Sequence, residues 1–149
     1  RILGESLEIE VLHATELLVE MIADGKIALQ GFSQPVTYHD PCDLGRTSAI
    51  YDEPREIIRA IPGIQFKEMV DNREMALCCG GGGDAEMADA GLTAAVAKRR
   101  IEQAQDTGAK AVISACQQCN RTLAEAARKN RIRVRAMDIT ELVWRSMGH

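Results

Sequence analysis

With 149 residues, 46% of them hydrophobic, the chain is long enough to bury the core of one globular domain without disulfide bonds. Its aromatic content of 3% argues against base stacking on nucleic acid, and no apolar run approaches the ~20 residues that span a bilayer. The net charge of −4 is uneven, because residues 98–135 carry ten Lys or Arg and three acidic side chains. This pattern predicts either solvated helix faces or a basic surface that docks an acidic partner or offsets an anionic cofactor.

The first half of the chain predicts two helices and two strands. Apolar residues at near-helical spacing indicate a helix over 7–24, and Gly25 is placed to cap its C-terminus. A short strand over 35–38 follows, then a helix over 47–60 and a strand over 64–70.

The second half of the chain continues this alternation. A long helix is predicted from Asp84, its N-cap, to Asp106. Beyond it we expect a strand over 110–114, a helix over 118–130, a last strand around Val134 and a last helix over 138–147. Such alternation predicts an α/β fold, with a mostly parallel, Rossmann-like sheet flanked by helices.

The five cysteines fall in three groups: Cys42, then Cys78 and Cys79, then Cys116 and Cys119. An odd number cannot all pair as internal disulfides, so the pattern indicates a metal or redox site in a reducing compartment. Each group follows a predicted strand or precedes a predicted helix, and ligands gather at the carboxyl ends of parallel strands. We therefore expect the five thiols to form one metal site at that edge of the sheet.

The residues around the cysteines suit a metal cluster. Thiolates ligate both iron–sulfur clusters and zinc, and a C-x-x-C turn into a helix lets two sulfurs converge. A vicinal pair faces one cofactor only if the backbone bends, which the following glycines permit. Their backbone N–H groups could also bind cluster sulfides, the alternative being a merely flexible loop. These glycines are Gly80, Gly81, Gly82 and Gly83.

The number of thiols leaves two alternatives open. A cubane four-iron cluster and a structural zinc site each need four cysteines, so five leaves one over. Either one cysteine is a free reactive thiol, or the cofactor is not an ordinary cubane.

Three segments carry a resemblance to a known family: YHDPCDLGR at 38–46, CCGGGG at 78–83 and CQQC at 116–119. On these residues the chain resembles the CCG, or cysteine-rich, domain family over most of its length. That family includes heterodisulfide reductase catalytic subunits. It also includes iron–sulfur subunits of glycolate, lactate and glycerol-3-phosphate oxidation and of sulfite-reduction complexes.

The resemblance implies a cofactor and a reaction. In the heterodisulfide reductase branch the motif resembles the cradle of a non-cubane [4Fe-4S] cluster, so all five cysteines would be ligands. The implied activity is part of an oxidoreductase that passes electrons through the cluster to a disulfide or similar acceptor. Two alternatives remain: an electron-transfer or docking module of a larger dehydrogenase complex without its own catalysis, or a structural zinc-binding domain.

The motif occurs once here, whereas relatives often carry two copies and a ferredoxin-like segment. We therefore expect residues 1–149 to be a single domain of this type, with 1–30 as a candidate N-terminal helical appendage. The chain would be a fragment or one half of a larger subunit. Its expected partners are other redox subunits, iron–sulfur or flavin proteins. We expect it in the cytoplasm, either free or at the cytoplasmic face of a membrane complex.

His39 is the candidate catalytic residue outside the cysteines. It lies three residues before Cys42, and its unperturbed pKa near neutrality would let it donate a proton to a leaving thiolate. The alternative is a structural histidine that hydrogen-bonds a turn. The adjacent Asp40 is expected to accept hydrogen bonds from turn or helix N–H groups.

Overall fold

A computed structural model describes residues 10–148, which form a parallel sheet covered by helices on both faces. The sheet order is β2-β1-β3-β4, and each strand pairs in parallel with its neighbour. The strands are β1 (Pro35–Tyr38), β2 (Gln65–Phe66), β3 (Ala111–Ser114) and β4 (Arg135–Asp138). The predicted α/β class and the parallel sheet are confirmed.

The helices alternate with these strands along the chain. They are α1 (Ala14–Ala23), α2 (Asp52–Ala60), α3 (Ala85–Ala88), α4 (Ala90–Asp106), α5 (Gln117–Lys129) and α6 (Ile139–Ser146). A π-helical turn over Asp43–Thr47 and a 3-10 turn over Arg73–Met75 lie in the connections. None of the helices within residues 10–148 is long and apolar enough to cross a membrane.

Two predicted helices begin later than the apolar pattern indicated. Helix α1 starts at Ala14 because His13 caps it, with Nδ1 of His13 accepting from the N–H of Thr15 at 3.2 Å. Residues 7–9 of the predicted helix over 7–24 lie outside the described residues. The helix predicted from residue 47 starts at Asp52, because Ala49 has a φ of 59° and interrupts the helical path.

The long helix predicted from Asp84 is divided by a break at Asp89. Asp84 is the N-cap residue of the short helix α3, as predicted in position, but it has a φ of 59° and its side chain makes no capping hydrogen bond. Asp89 is extended and caps α4 instead, since its Oδ1 accepts from the N–H of Leu92 at 2.9 Å. The predicted strands also shift: 64–70 shortens to β2, and Val134 lies in the core just before β4.

Alternate residues of β3 build the two halves of the core. Ala111 and Ile113 pack with α2 and α6 on one face, where α1 adds Leu18 and Ile22. Val112 packs with α4 and α5 on the other face. Burial on both faces explains the continuous apolar run of this strand, as expected for a parallel sheet.

The order of the strands creates a crevice at the carboxyl ends of β1 and β3. The chain passes from β1 to β2 on one side and then returns to place β3 on the other side. Such a switch point is where open parallel sheets bind ligands. His39 follows β1 there, and its N–H donates to the carbonyl of Ile113 at 2.8 Å.

A buried ion-pair network fixes the loop that follows β1. The Arg55 side chain is 0% exposed, and its guanidinium contacts Asp40 at 2.7 Å and Glu68 at 2.6 Å. It also donates to the carbonyl of Tyr51 at 2.7 Å. Oδ2 of Asp40 accepts from the backbone N–H of Arg73 at 2.9 Å, as predicted for a carboxylate that holds a turn. Arg55 thereby links the loop after β1, the residue before α2 and the segment after β2.

Replacing Arg55 with Met should lower the free energy of unfolding by about 3–5 kcal/mol, because Asp40 would remain buried without its countercharge. Urea denaturation measures this loss. Arg59→Met is the matched control, since Arg59 is exposed on the same helix and its guanidinium lies over the ring of Phe66 at 5.6 Å. Its loss should stay within ~1 kcal/mol. Equal losses in the two variants would contradict a stabilising role for the network.

Candidate metal centre

Two cysteines and one histidine converge in the crevice between β1 and β3. One ligand atom each of His39, Cys79 and Cys119 lies within 4.8 Å of the others, and all three residues are buried. Cys119 is in the first turn of α5, and Cys79 lies in the loop that leads to α3. This arrangement places two sulfurs at the edge where the sequence predicted the site.

The other three cysteines are more exposed than this buried group. Cys116 is half-buried at the N-cap of α5, whereas Cys42 and Cys78 are exposed. Although the residue is exposed, partial burial of its thiol raises the pKa of Cys78, and the charges of Cys79 and Cys42 raise it further. Cys116 acts in the same way on the pKa of Cys119. All five thiols are free.

A hydrogen bond between the two buried thiols shifts their pKa values in opposite directions. The hydrogen bond from Cys119 holds the pKa of Cys79 well below its usual range, and His39 and the N–H of Gly81 contribute further. The pKa of Cys119 is raised, chiefly by that same hydrogen bond and by burial. Cys79 is therefore the sulfur that is predisposed to be a thiolate, the form that ligates metals.

The glycine loop takes the bend that a vicinal cysteine pair requires. Gly80 has a φ of 84°, in the left-handed region, and its N–H approaches Sγ of Cys78 at 3.3 Å. Next to it, a side chain on Gly81 would overlap the hydroxyl of Thr122. The carbonyl of Gly81 accepts from Nε2 of Gln118 at 2.7 Å. Helix α5 thus holds both its own C-x-x-C thiols and the loop of the vicinal pair.

His39 is bound on one ring nitrogen and unsatisfied on the other. Nδ1 accepts from Nε of Arg100 at 2.9 Å, and the carbonyl of His39 accepts from Oγ of Ser114 at 3.1 Å. Within residues 10–148, the buried Nε2 has no hydrogen-bond partner. Burial lowers the pKa of His39, and the nearby Cys79 sulfur opposes this shift.

Arg100 is the residue of this site that sequence reasoning missed. The sequence counts it among the ten basic residues of 98–135, yet it is 0% exposed and does not belong to a basic surface. Much of the remaining charge there is paired locally, as in the contacts of Arg121 with Glu86 and of Lys129 with Glu125. A basic residue inside a long helix gives no sequence signal of this role.

The chemistry of these groups fits a thiolate-bound metal centre. Two buried sulfurs lie within 4.8 Å of a ring nitrogen of His39. Its Nε2 interacts with Cys79 but makes no well-formed hydrogen bond within residues 10–148, and a buried donor of this kind costs free energy unless it is satisfied. Sulfur atoms of a metal-bound thiolate or sulfide are anionic acceptors. The glycine N–H groups add further donors beside the vicinal pair.

A parallel sheet with free thiols at its switch point defines a cysteine-rich α/β domain of the redox or metal-binding class. The chain belongs to the CCG cysteine-rich domain family, whose sequence model matches residues 36–124. This match confirms the predicted family. That all five cysteines are ligands stays a prediction.

Curated relatives from several organisms match nearly the whole chain. One subunit of the dihydromethanophenazine:CoB–CoM heterodisulfide reductase of Methanosarcina acetivorans is 38% identical over 149 residues. The probable iron–sulfur-binding oxidoreductase FadF of Bacillus subtilis is 36% identical over 141 residues, and one subunit of the CoM/CoB fumarate reductase of Methanothermobacter marburgensis is 33% identical over 137. The alignments cover 99%, 93% and 91% of this chain but only 36%, 20% and 27% of those proteins.

Gly81→Ala should destabilise the domain by about 1–3 kcal/mol, because the new methyl group would push the loop away from Thr122 on α5. Gly82→Ala is the matched control, since nothing lies within 4 Å of a methyl group built there. Urea denaturation measures the loss, and the alkylation rate of buried Cys79 should rise in Gly81→Ala. If the two variants behave alike, the close contact between loop and helix is not a structural constraint.

Proposed function

We propose that the chain is an iron–sulfur oxidoreductase module, similar to heterodisulfide reductase, in which the five cysteines hold one [4Fe-4S] cluster of the non-cubane kind. The observation that carries the proposal is the buried convergence of Cys79 and Cys119 with an unsatisfied histidine N–H. The comparisons support it because proteins named as a heterodisulfide reductase subunit and as a probable iron–sulfur-binding oxidoreductase match 99% and 93% of the chain.

The proposed ligands divide into an inner and an outer part. Cys79 and Cys119 would hold the cluster from the buried side, while Cys42, Cys78 and Cys116 would hold it from the side that faces solvent. The N–H groups of Gly80 to Gly83 would donate to its sulfur atoms. When bound, the cluster supplies low-potential electron transfer. The helices around the crevice exclude water from its inner side.

The proposed reaction is the reductive cleavage of a disulfide. One disulfide takes up two electrons and two protons and yields two thiols, with the electrons delivered by a partner redox subunit. The exposed side of the site, at Cys42 and Cys78, is where an acceptor can approach and where solvent can supply protons. His39 is the proposed catalytic residue, because one of its ring nitrogens lies within 4.8 Å of both buried sulfurs, where thiolate charge would develop, and Nδ1 is already bonded to Arg100.

A second candidate is electron transfer without substrate chemistry. A probable membrane-anchored ferredoxin of Chromohalobacter salexigens is 35% identical over 121 residues, 80% of this chain and 18% of that protein. A module of this kind would pass electrons between iron–sulfur or flavin subunits of a larger cytoplasmic complex. In either case we propose that residues 10–148 act as one unit within a larger protein or assembly.

Protein prepared without oxygen should contain about four iron and four sulfide per chain. Each of the five Cys→Ala variants should lose most of this iron, because each removes a ligand. Metal and sulfide analysis with electron paramagnetic resonance measures the outcome. A four-ligand site would leave one of the five variants with its full metal content. One zinc without sulfide would contradict the cluster and favour a structural zinc domain.

The loaded protein should reduce a disulfide when a low-potential electron donor is supplied. His39→Leu should slow this reduction by about 10²–10³, because the hydrogen-bond donor to the developing thiolate is lost. Its iron content must match the wild type for the comparison to hold. The control is His13→Leu, since His13 caps α1 and contacts Thr15 and Glu16. Reversible reduction of the cluster without disulfide turnover would favour the electron-transfer function instead.

A further inference from the structure

Arg100 is a buried charge that no carboxylate of residues 10–148 contacts by a hydrogen bond. Nη1 donates to the carbonyl of Asp71 at 2.7 Å and to Oε1 of Gln103 at 2.8 Å. Nη2 is buried and has no hydrogen-bond partner within residues 10–148. Arg55, the other fully buried arginine, instead contacts two carboxylates. A buried guanidinium is costly unless anions and hydrogen bonds offset it. The carboxylates of Asp40 and Asp71 act on Arg100 through space, but its Nη2 has no hydrogen-bond acceptor within residues 10–148.

The contact between Arg100 and His39 fixes the position of the ring proton. All guanidinium N–H groups are donors, and the ring nitrogen that receives one must be an acceptor. Nε of Arg100 donates to Nδ1 of His39 at 2.9 Å, so the proton of the neutral ring is on Nε2. Nδ1 is thereby occupied, and the Nε2 edge is left for the sulfurs of Cys79 and Cys119.

We propose that Arg100 is a positioning residue that holds His39 as a fixed Nε2–H donor toward the sulfurs of the metal centre, and that His39 is therefore not a metal ligand. The inference rests on the proposed function for the identity of the metal centre. The direction of this hydrogen bond distinguishes a metal ligand from a hydrogen-bond donor. A histidine that binds a metal through one nitrogen donates the N–H of its other nitrogen to a carboxylate, carbonyl or water. In His39 the other nitrogen, Nδ1, accepts a hydrogen bond instead.

The arrangement also gives Arg100 an electrostatic effect on the centre. Burial lowers the pKa of Arg100, and the charges of Asp40, Asp71 and Cys119 oppose this shift. Because Cys119 is among these charges, the guanidinium lies near enough to act on thiolates or a sulfide cluster bound there. Reduction of the cluster adds negative charge, which a nearby buried cation stabilises. Arg100 should therefore raise the reduction potential, in addition to fixing the tautomer of His39.

The tautomer can be measured without any cluster. Long-range proton–nitrogen NMR on the reduced, metal-free chain should show His39 protonated on Nε2, with assignment by comparison with His39→Gln. Arg100→Met should mix the two tautomers, whereas Arg99→Met should not, because Arg99 is exposed on the same helix. An Nδ1–H tautomer in the wild type, or an unchanged Nε2–H tautomer in folded Arg100→Met, overturns the proposal. If Arg100→Met does not fold, the tautomer of His39 in the wild type and in Arg100→Lys decides the proposal.

The loaded protein gives two further readouts. Pulsed electron paramagnetic resonance of the reduced protein, labelled with nitrogen-15 histidine, should show no directly coordinated nitrogen. The reduction potential should be lower in Arg100→Met than in Arg99→Met, and Arg100→Lys should restore much of it because the charge remains. A coordinated His39 nitrogen, or equal potentials in the two Met variants, overturns the inference. Absence of iron and sulfide would instead contradict the proposed function, while the tautomer measurement would still decide the contact of Arg100 with His39.

Discussion

The parallel pairing of β1 with β3 is the constraint on which the site depends. It aligns Tyr38 with Ile113, so the residues that follow the two strands emerge side by side at one edge of the sheet. His39 is anchored to β3 through its own N–H and its carbonyl. The same strand leads within a few residues into Cys116 and Cys119. A shift of one residue in this register would separate the histidine from the thiols, because side chains alternate between the two faces.

Two buried arginines support the edge of the sheet in different ways. Arg55 is neutralised within the protein by Asp40 and Glu68, and it ties together the backbone connections next to β1. Arg100 has only carbonyl, amide and imidazole acceptors, and one of its nitrogens is unsatisfied within the described chain. The guanidinium of Arg55 is fully bonded within the protein, whereas Arg100 keeps an unbonded Nη2 and is stabilised by Asp40 and Asp71 only through space. The first arginine therefore ties the backbone together, and the second is the one with a donor left beside the site.

Much of this architecture follows from sequence patterns, because strand–helix alternation and cysteine spacing are local signals. The buried run before Cys116 predicts β3, and the three cysteine groups predict the edge where Cys79 and Cys119 meet. Helix boundaries were harder to predict from sequence, since the break at Asp89 depends on a single cap and the late start of α2 on the positive φ of Ala49. Arg100 was not predictable, because its burial depends on how α4 packs against the loop that contains Asp71.

The division of the vicinal pair explains how one site can be both sheltered and accessible. Consecutive side chains diverge, and the loop uses this divergence: Cys79 enters the core beside Cys119, while Cys78 remains exposed under the N–H of Gly80. A centre bound between them would have a dry inner side, where a fixed N–H acts in a low dielectric and is therefore strong. Its outer side would be open to an electron acceptor. Gly81 packs closely against Thr122 of α5, so the loop that carries Cys78 and Cys79 is fixed relative to the helix that carries Cys119.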